Sequence, residues 1–412
     1  MNKFLEEKVL PAASKLAQNK FMCAVRDGVT VIIPFSIIGA FALIIACFPL
    51  ASWESFIEPY GNYLFTFSTV TLDVLGLIAL IGIGYNMGVQ YDVDPISNTL
   101  LVLVTFLMIT LAGDSVEGFA INVDCFGAVG MFCGIVVSYV VTRIFQFFIK
   151  KNIVIKMPDG VPPAVTNTFI SLIPAIVCVL IAWLLRVVLG IDVNEVIVTV
   201  FSPLVKGYGS LPGYLLYVFL MCGLWVLGIH GDNTLAAVSE PIVLAMTLEN
   251  MAAYQAGQEI PNIATFCALF TNFSGTGCTI GLVLNMLFSK CKRYKELGKL
   301  AILPGIFNIN EPVTFGAPIV MNPIFAIPYI VTPLVLSAAT YLLMQFNIIG
   351  RVCVEVPWTC PPIIGAYLST GFNIPAAIWN AIEIVIAFLI YRPFFKKQEA
   401  VEIAAEQEAE NQ

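Results

Sequence analysis

The sequence predicts an all-α polytopic membrane protein, and three observations carry that prediction. Of 412 residues, 59% are hydrophobic and 11% charged, with a mean hydropathy of +0.90, whereas soluble domains carry about 25% charged residues. Long apolar runs recur from end to end, and at roughly 20 residues per span the length leaves room for about ten spanning helices. Polar and helix-breaking residues then crowd into apolar surroundings after residue 211, the pattern of discontinuous helices meeting near a bilayer midplane.

Taken in order, residues 3–20 set apolar Phe4, Leu5, Val9, Leu10 and Leu16 beside basic Lys8, Lys15 and Lys20. This reads as an amphipathic helix lying in the membrane interface. Met1 to Arg26 mix both charge signs with Pro11, so no cleavable signal peptide is expected. Spans follow near 29–50, 71–89, 99–111 (short) and 127–148. The prolines and glycine of 157–163 make a rigid turn. A fifth span, 169–189, closes with Arg186 and Asp192; an amphipathic stretch, 193–205, precedes the span at 211–229.

Regularity then fails. His230-Gly231-Asp232-Asn233 ends that span, and Ser239-Glu240-Pro241 is expected to begin the next helix, since proline suits a first helical turn. Residues 273–278, Phe-Ser-Gly-Thr-Gly-Cys, lead into a span near 280–288. Residues 305–318 carry Asn308, Asn310, Glu311, Thr314 and breakers. Spans near 322–344 and 376–395 flank Val356-Pro357-Trp358-Thr359-Cys360-Pro361-Pro362. Because Asn310-Glu311-Pro312 repeats the polar-Glu-Pro pattern of 239–241, each is read as the possible start of a re-entrant half-helix.

Lysine and arginine cluster before residue 26, at 143–156, at 290–299 and at 392–397. Such clusters favour the cytoplasmic side, and the parity of four spans between the first two puts both termini in the cytoplasm. The turn at 85–95 should also lie inside, although it carries Asp92 and Asp94 and no basic residue. The resulting division is an interfacial helix at 1–28, a scaffold and dimer-interface half at 29–210, a transport half at 211–397 and an acidic cytoplasmic tail at 398–412. The net charge of −7 reflects Glu399, Glu402, Glu406, Glu408 and Glu410 in that tail, and nothing suggests a nucleic-acid partner. Eleven cysteines without a CxxC pair and a single histidine argue against a metal centre, and no cofactor is expected.

Glu311 is the leading chemical candidate. A carboxylate at membrane depth costs several kcal/mol unless it faces protein, water or ligand, and broken backbone is tolerated there only where it is buried or lines a cavity. Such a carboxylate suits a general base or a proton-coupled gate; the alternative is a Glu satisfied by a helix N-terminus. His230, with Asp232 and Asn233 beside it, forms a polar cluster at a helix break rather than a lone core imidazole. Trp358, between prolines, offers an indole face of the kind that stacks on sugar rings, or else an interfacial anchor. Glu240 reads as a second site carboxylate or a helix cap, Glu355 as a loop charge, Glu383 as a polar residue facing the bundle and Asp73 as structural.

Gly228-Ile229-His230-Gly231, Ile309-Asn310-Glu311-Pro312 with 315–323, and 357–362 together resemble the membrane-spanning enzyme IIC of the bacterial phosphotransferase system (PTS), in its lactose, cellobiose and diacetylchitobiose branch. Arg26-Asp27-Gly28 and 157–165 fit the same pattern, so the resemblance runs from about residue 5 to 395. Cys360 stands where a threonine or similar polar residue is expected, and 258–274 is short for the family. The resemblance implies ten spanning helices, two re-entrant hairpins, a homodimer formed through the first half and a sugar site in the second. It implies a separate enzyme IIB, charged through IIA, which phosphorylates the sugar at its C6 hydroxyl. Glu311 then matches the carboxylate that activates that hydroxyl and His230 the histidine bonded near it, with Asn310 and Trp358 as further contacts. The competing reading is a proton-coupled secondary sugar transporter; a sugar-sensing receptor lacks an output domain in this sequence.

Overall fold

Helix starts follow the polar residues that can cap them. Asn19 Oδ1 accepts the amides of Phe21 (3.0 Å) and Met22 (3.2 Å) to open α1, Lys20–Val29. A 3₁₀ turn joins it to α2, Ile33–Ala46. Side-chain oxygens at such positions satisfy amides that the helix leaves without partners. After α3 (Ala51–Ile57), α4 (Gly61–Leu72) and α5 (Leu75–Gln90), Asp94 caps α6, Pro95–Ile109, through the Ser97 amide at 2.8 Å. A short antiparallel hairpin pairs β1, Ala112–Asp114, with β2, Gly118–Ala120, and α7 (Met131–Lys150) and α8 (Pro163–Trp183) follow.

Asp192 caps α9, Val193–Gly209, and Ser210 caps α10, Leu211–Val226; the two helices meet at 76°. The second half continues with α11 (Gly231–Gln255), α12 (Ile280–Leu287), α13 (Lys292–Ile306), α14 (Glu311–Gly316), α15 (Pro323–Gln345), α16 (Ile364–Ser369) and α17 (Ile374–Glu410). The computed structural model describes residues 15, 18–46, 51–114, 116, 118–155, 157–158, 161–265, 273–317, 319–320 and 322–410. The predicted interfacial helix over 3–20 falls almost wholly outside them, as do Asp159 and Gly160 of the predicted turn.

Among the described residues six helices are long and apolar enough to cross a membrane, and the bent pair α9–α10 makes a seventh if counted as one span. The all-α polytopic fold class therefore stands, with one small β-hairpin that the sequence did not announce. The first span begins at Lys20 rather than near 29, because Arg26 and Asp27 neutralise each other at 2.8 Å inside it. Its close packing depends on glycine: a Cβ on Gly28 would lie 2.4 Å from Ile83 Cα, and one on Gly82 would lie 2.3 Å from the Gly28 carbonyl oxygen. Small residues of this kind let membrane helices approach backbone to backbone.

Buried polar side chains tie the helices where lipid offers no partner. Asn98 Nδ2 donates to the Gly84 carbonyl (2.7 Å) and to Thr142 Oγ1 (2.9 Å), joining α5, α6 and α7. Glu383, fully buried and facing the bundle as expected, accepts from Thr340 Oγ1 at 2.5 Å and Asn380 Nδ2 at 2.9 Å. One expectation fails. Ser239-Glu240-Pro241 does not start a helix but lies inside α11, which His230 has already capped nine residues earlier; the polar-Glu-Pro match with 310–312 therefore marks no structural repeat. At the acidic end α17 runs unbroken to Glu410, through residues rich in strong helix formers. Glu399 is 4% exposed and accepts from Ser289 Oγ and the Lys290 amide, while Glu402 pairs with Arg293.

Candidate functional site

Three breaks in helical backbone converge in the second half. The first is the Gly228 turn (φ +82°) between α10 and α11, the second the 273–278 loop, and the third the turn between α13 and α14, where Asn308 adopts φ +63°. The 273–278 loop needs its glycines. Gly275 and Gly277 have φ of +78° and +93°, and a Cβ would lie 2.5 Å from Asn310 Cγ and 2.4 Å from the Tyr329 ring respectively. Between these breaks and the irregular segment 350–358 lies a cavity of about 580 Å³. Irregular backbone at this depth lines a cavity, as the bilayer requires.

His230, Asp232, Asn233, Glu240, Asn310, Glu311 and Trp358, the seven residues singled out from sequence, all border this one cavity. They are not equivalent. His230 Nδ1 accepts the Asn233 amide at 3.2 Å and so caps α11. With Nδ1 accepting, the ring proton sits on Nε2, leaving Nε2–H as a donor for another partner. The imidazole packs on the Trp225 ring with centroids 4.2 Å apart. Glu311 opens α14 and is exposed where it borders the cavity. Trp358, 51% exposed, borders the cavity as well.

Two of the seven are turned toward protein. Asp232 Oδ2 accepts from Trp225 Nε1 at 2.6 Å and from Thr276 Oγ1 at 2.7 Å, which makes it a clamp between α10, α11 and the 273–278 loop. Asn310 is 6% exposed and donates to the Thr276 carbonyl at 2.8 Å. Glu240 lies within electrostatic reach of Arg26 and Asp27 of α1. It stands in the interior of α11 rather than as a cap, which removes one of its two sequence readings.

Sequence reasoning missed Trp225, Thr276 and above all Asn308. Asn308 sits two residues before Asn310 in the same breaker-rich stretch, and that position was its only signal. Its Nδ2 donates to the carbonyls of Trp358 and Cys360, and its Oδ1 accepts the Ser274 amide. Among the described residues no group of three or more His, Cys, Asp or Glu side chains is placed to hold a metal ion. What the cavity presents is an aromatic face, a carboxylate at a helix start, an imidazole N–H donor and a wall of fixed backbone. That set can seat a polar ring and accept a proton from one of its hydroxyls.

Residues 26–333 match the family described as Phosphotransferase system, EIIC. The chain is 36% identical to the lichenan permease IIC component of Bacillus subtilis (strain 168), over 100% of this chain and 96% of that protein. It is also 36% identical to the PTS system cellobiose-specific EIIC component of Geobacillus stearothermophilus, over 98% of this chain and 96% of that one. Its structure superposes on the crystal structure of the transporter ChbC, the IIC component from the N,N'-diacetylchitobiose-specific phosphotransferase system. The TM-score is 0.93 at 36% identity, covering 98% of this chain and 99% of that one. With the motifs at 228–231, 309–323 and 357–362 inside the matched length, the chain belongs to the EIIC family of the phosphotransferase system, as a multi-pass protein of the cell membrane.

Proposed function

We propose that the cavity binds a β-linked disaccharide of the cellobiose, diacetylchitobiose or lactose class and holds it for phosphorylation at C6 by a phosphorylated enzyme IIB. The observation that carries this reading is the meeting of Glu311, His230 and Trp358 around one cavity in a chain of the EIIC family. Trp358 supplies a stacking face for a pyranose ring, and His230 Nε2–H donates to a sugar oxygen. Glu311 takes the proton of the C6 hydroxyl as that oxygen attacks phosphorus. With IIB carrying its phosphate on a cysteine, as the family resemblance implies, the S–P bond breaks, the O–P bond forms, and the cysteine leaves as thiolate. Phosphoryl transfer of this kind rests on positioning and electrostatics, so the membrane chain needs a base and a cage rather than a nucleophile. Asn233 and Glu240 complete the polar wall, and Asp232 and Asn310 hold it in place.

The partner of an EIIC component is an enzyme IIB, as the name EIICB of some relatives reflects. In this reading IIA charges IIB upstream, residues 29–210 provide the scaffold and homodimer interface, and residues 211–397 carry transport. The basic clusters at 143–156 and 290–299 support a cytoplasmic placement of both termini. In the basic loop at 290–293, Arg293 pairs with Glu402, and positive-inside bias remains sufficient to account for the loop.

The test uses purified protein in liposomes with cellobiose, lactose and diacetylchitobiose in turn, phosphorylated IIB on one side and no ion gradient. Sugar phosphate appearing in the IIB compartment is the expected result. Unmodified sugar accumulating only under an imposed proton gradient would replace this reading with secondary transport, with Glu311 as proton carrier.

A further inference from the structure

Thr276 bonds to both helix starts that carry the chemistry. Its Oγ1 donates to Asp232 Oδ2 at 2.7 Å, and its carbonyl accepts from Asn310 Nδ2 at 2.8 Å. Asp232 lies in the first turn of α11, two residues after His230, and Asn310 immediately precedes Glu311 at the start of α14. One residue therefore reaches the histidine's helix through its side chain and the carboxylate's helix through its backbone.

The surroundings hold that residue still. Ser274, Gly275, Gly277 and Cys278 take φ of +61°, +78°, +93° and +53°, and such backbone in non-glycine residues persists only where its neighbours over-determine it. The Ser274 amide donates to Asn308 Oδ1 at 2.7 Å, and the Gly277 carbonyl accepts from Tyr391 Oη at 2.6 Å. Asn310 is packed closely on the same loop, because a Cβ on Gly275 would stand 2.5 Å from its Cγ. On the other side, Asp232 Oδ2 also accepts from Trp225 Nε1, and the Trp225 ring packs on the His230 imidazole. An ionised carboxylate is acceptor-only, so both protons come from its partners, and bonds to a charged acceptor are the stronger kind.

Thr276 is 6% exposed and borders the cavity, yet its hydroxyl proton and its carbonyl are both engaged by protein. We infer that Thr276 is a positioning residue for the phosphoryl transfer, setting the placement of the His230 donor relative to the Glu311 carboxylate so that one bound sugar meets both. The inference rests on the phosphoryl-transfer reading above. Thr276 acts through Asp232 on one side and through Asn310 on the other. A general base must stand within about 2.6–3.2 Å of the hydroxyl that it deprotonates, and a misplacement of about 1 Å costs on the order of 10²-fold in rate. Trp358 is held by Asn308 instead, so the stacking part of sugar affinity does not depend on the Thr276 bond.

The experiment compares wild type, Thr276→Val and Thr276→Ser as purified full chains. Valine keeps the shape and loses the hydroxyl; serine keeps the donor. The probe is whichever of cellobiose, lactose and diacetylchitobiose wild type phosphorylates fastest with phosphorylated IIB. Calorimetry gives its affinity and the number of binding sites, and turnover at saturating sugar is expressed per site. Thr276→Val is expected to keep affinity within about threefold while turnover per site falls about tenfold or more. Thr276→Ser is expected to restore turnover. Thr276→Ala, which removes the same donor with less bulk, replaces valine if that variant binds no sugar. A residue that only supports folding would lower the Tm and the number of sites and leave turnover per site unchanged. Undiminished turnover per site without the donor, or a fall in affinity as large as the fall in turnover, overturns the role of Thr276. So does a serine variant as slow as valine, or loss of sugar binding in both the valine and alanine variants. Each of these leaves the phosphoryl-transfer reading standing, whereas a wild type that forms no sugar phosphate from any of the three sugars overturns both.

Discussion

The Asn308 side chain donates to the Trp358 carbonyl at 2.7 Å and to the Cys360 carbonyl at 2.9 Å, while its Oδ1 accepts the Ser274 amide at 2.7 Å. One asparagine in left-handed backbone thus fixes three separate segments: the turn that delivers Glu311, the loop that receives Asn310, and the irregular segment that carries Trp358. Asparagine tolerates that backbone better than most residues. It also supplies two donors and an acceptor at one point.

Replacing Asn308 with alanine should leave two part-buried carbonyls and one buried amide without their partner. The expected loss is about 1–3 kcal/mol of stability, read as a lowered Tm in detergent, together with a fall in sugar affinity as Trp358 loses its placement. Asn308→Asp keeps the acceptor for Ser274 but no donor, and should weaken sugar binding nearly as far. Wild-type affinity in both variants would show that Trp358 is held by other means.

Glu311→Gln preserves shape and removes the proton acceptor. Sugar affinity should stay within a few-fold of wild type. Phosphorylation by phospho-IIB should fall on the order of 10²–10⁴-fold, the usual contribution of a positioned general base. Undiminished sugar-phosphate production would take the base role away from Glu311.

His230 has two roles that different substitutions separate. His230→Ala removes the cap of α11 and the Nε2–H donor, so stability should drop by about 0.5–2 kcal/mol along with affinity. His230→Asn keeps a capping oxygen and shortens the side chain away from the cavity. It should melt near wild type yet still bind sugar weakly. If His230→Asn binds as wild type does, His230 is a structural cap alone.

Glu383 tests the scaffold rather than the cavity. Its partner Asn380 also accepts the Ile363 amide at 2.6 Å, at the residue of φ +70° that precedes α16. Glu383→Ala should cost about 1–3 kcal/mol through the stranded Thr340 and Asn380 groups, and Glu383→Gln less. Thermal melts of the two variants decide it; an alanine variant as stable as wild type would mean that the network is dispensable.

The elements whose physics is local were legible in the residues alone. Apolar runs at bilayer length fixed the spans near 71–89, 127–148, 169–189 and 322–344 to within a few residues of the helices found. The breakers at 230–233, 273–278 and 305–312 marked where helices stop, because proline, glycine and buried polar groups cost energy in lipid whatever surrounds them. That is also why His230, Glu311 and Trp358 were legible as candidates. Tertiary structure alone decided which polar side chains satisfy each other and which remain for a ligand. Asp232 and Asn310 turned to Thr276, Asn308 became the junction of three segments, and Glu355, read from sequence as a loop charge, came to border the cavity. Proline after Glu240 resembled a helix start, yet α11 was already under way from the His230 cap. A hydrogen bond in a membrane interior is set by which groups meet at 2.5–3 Å, and residues 34 to 52 positions apart meet only when the chain has folded.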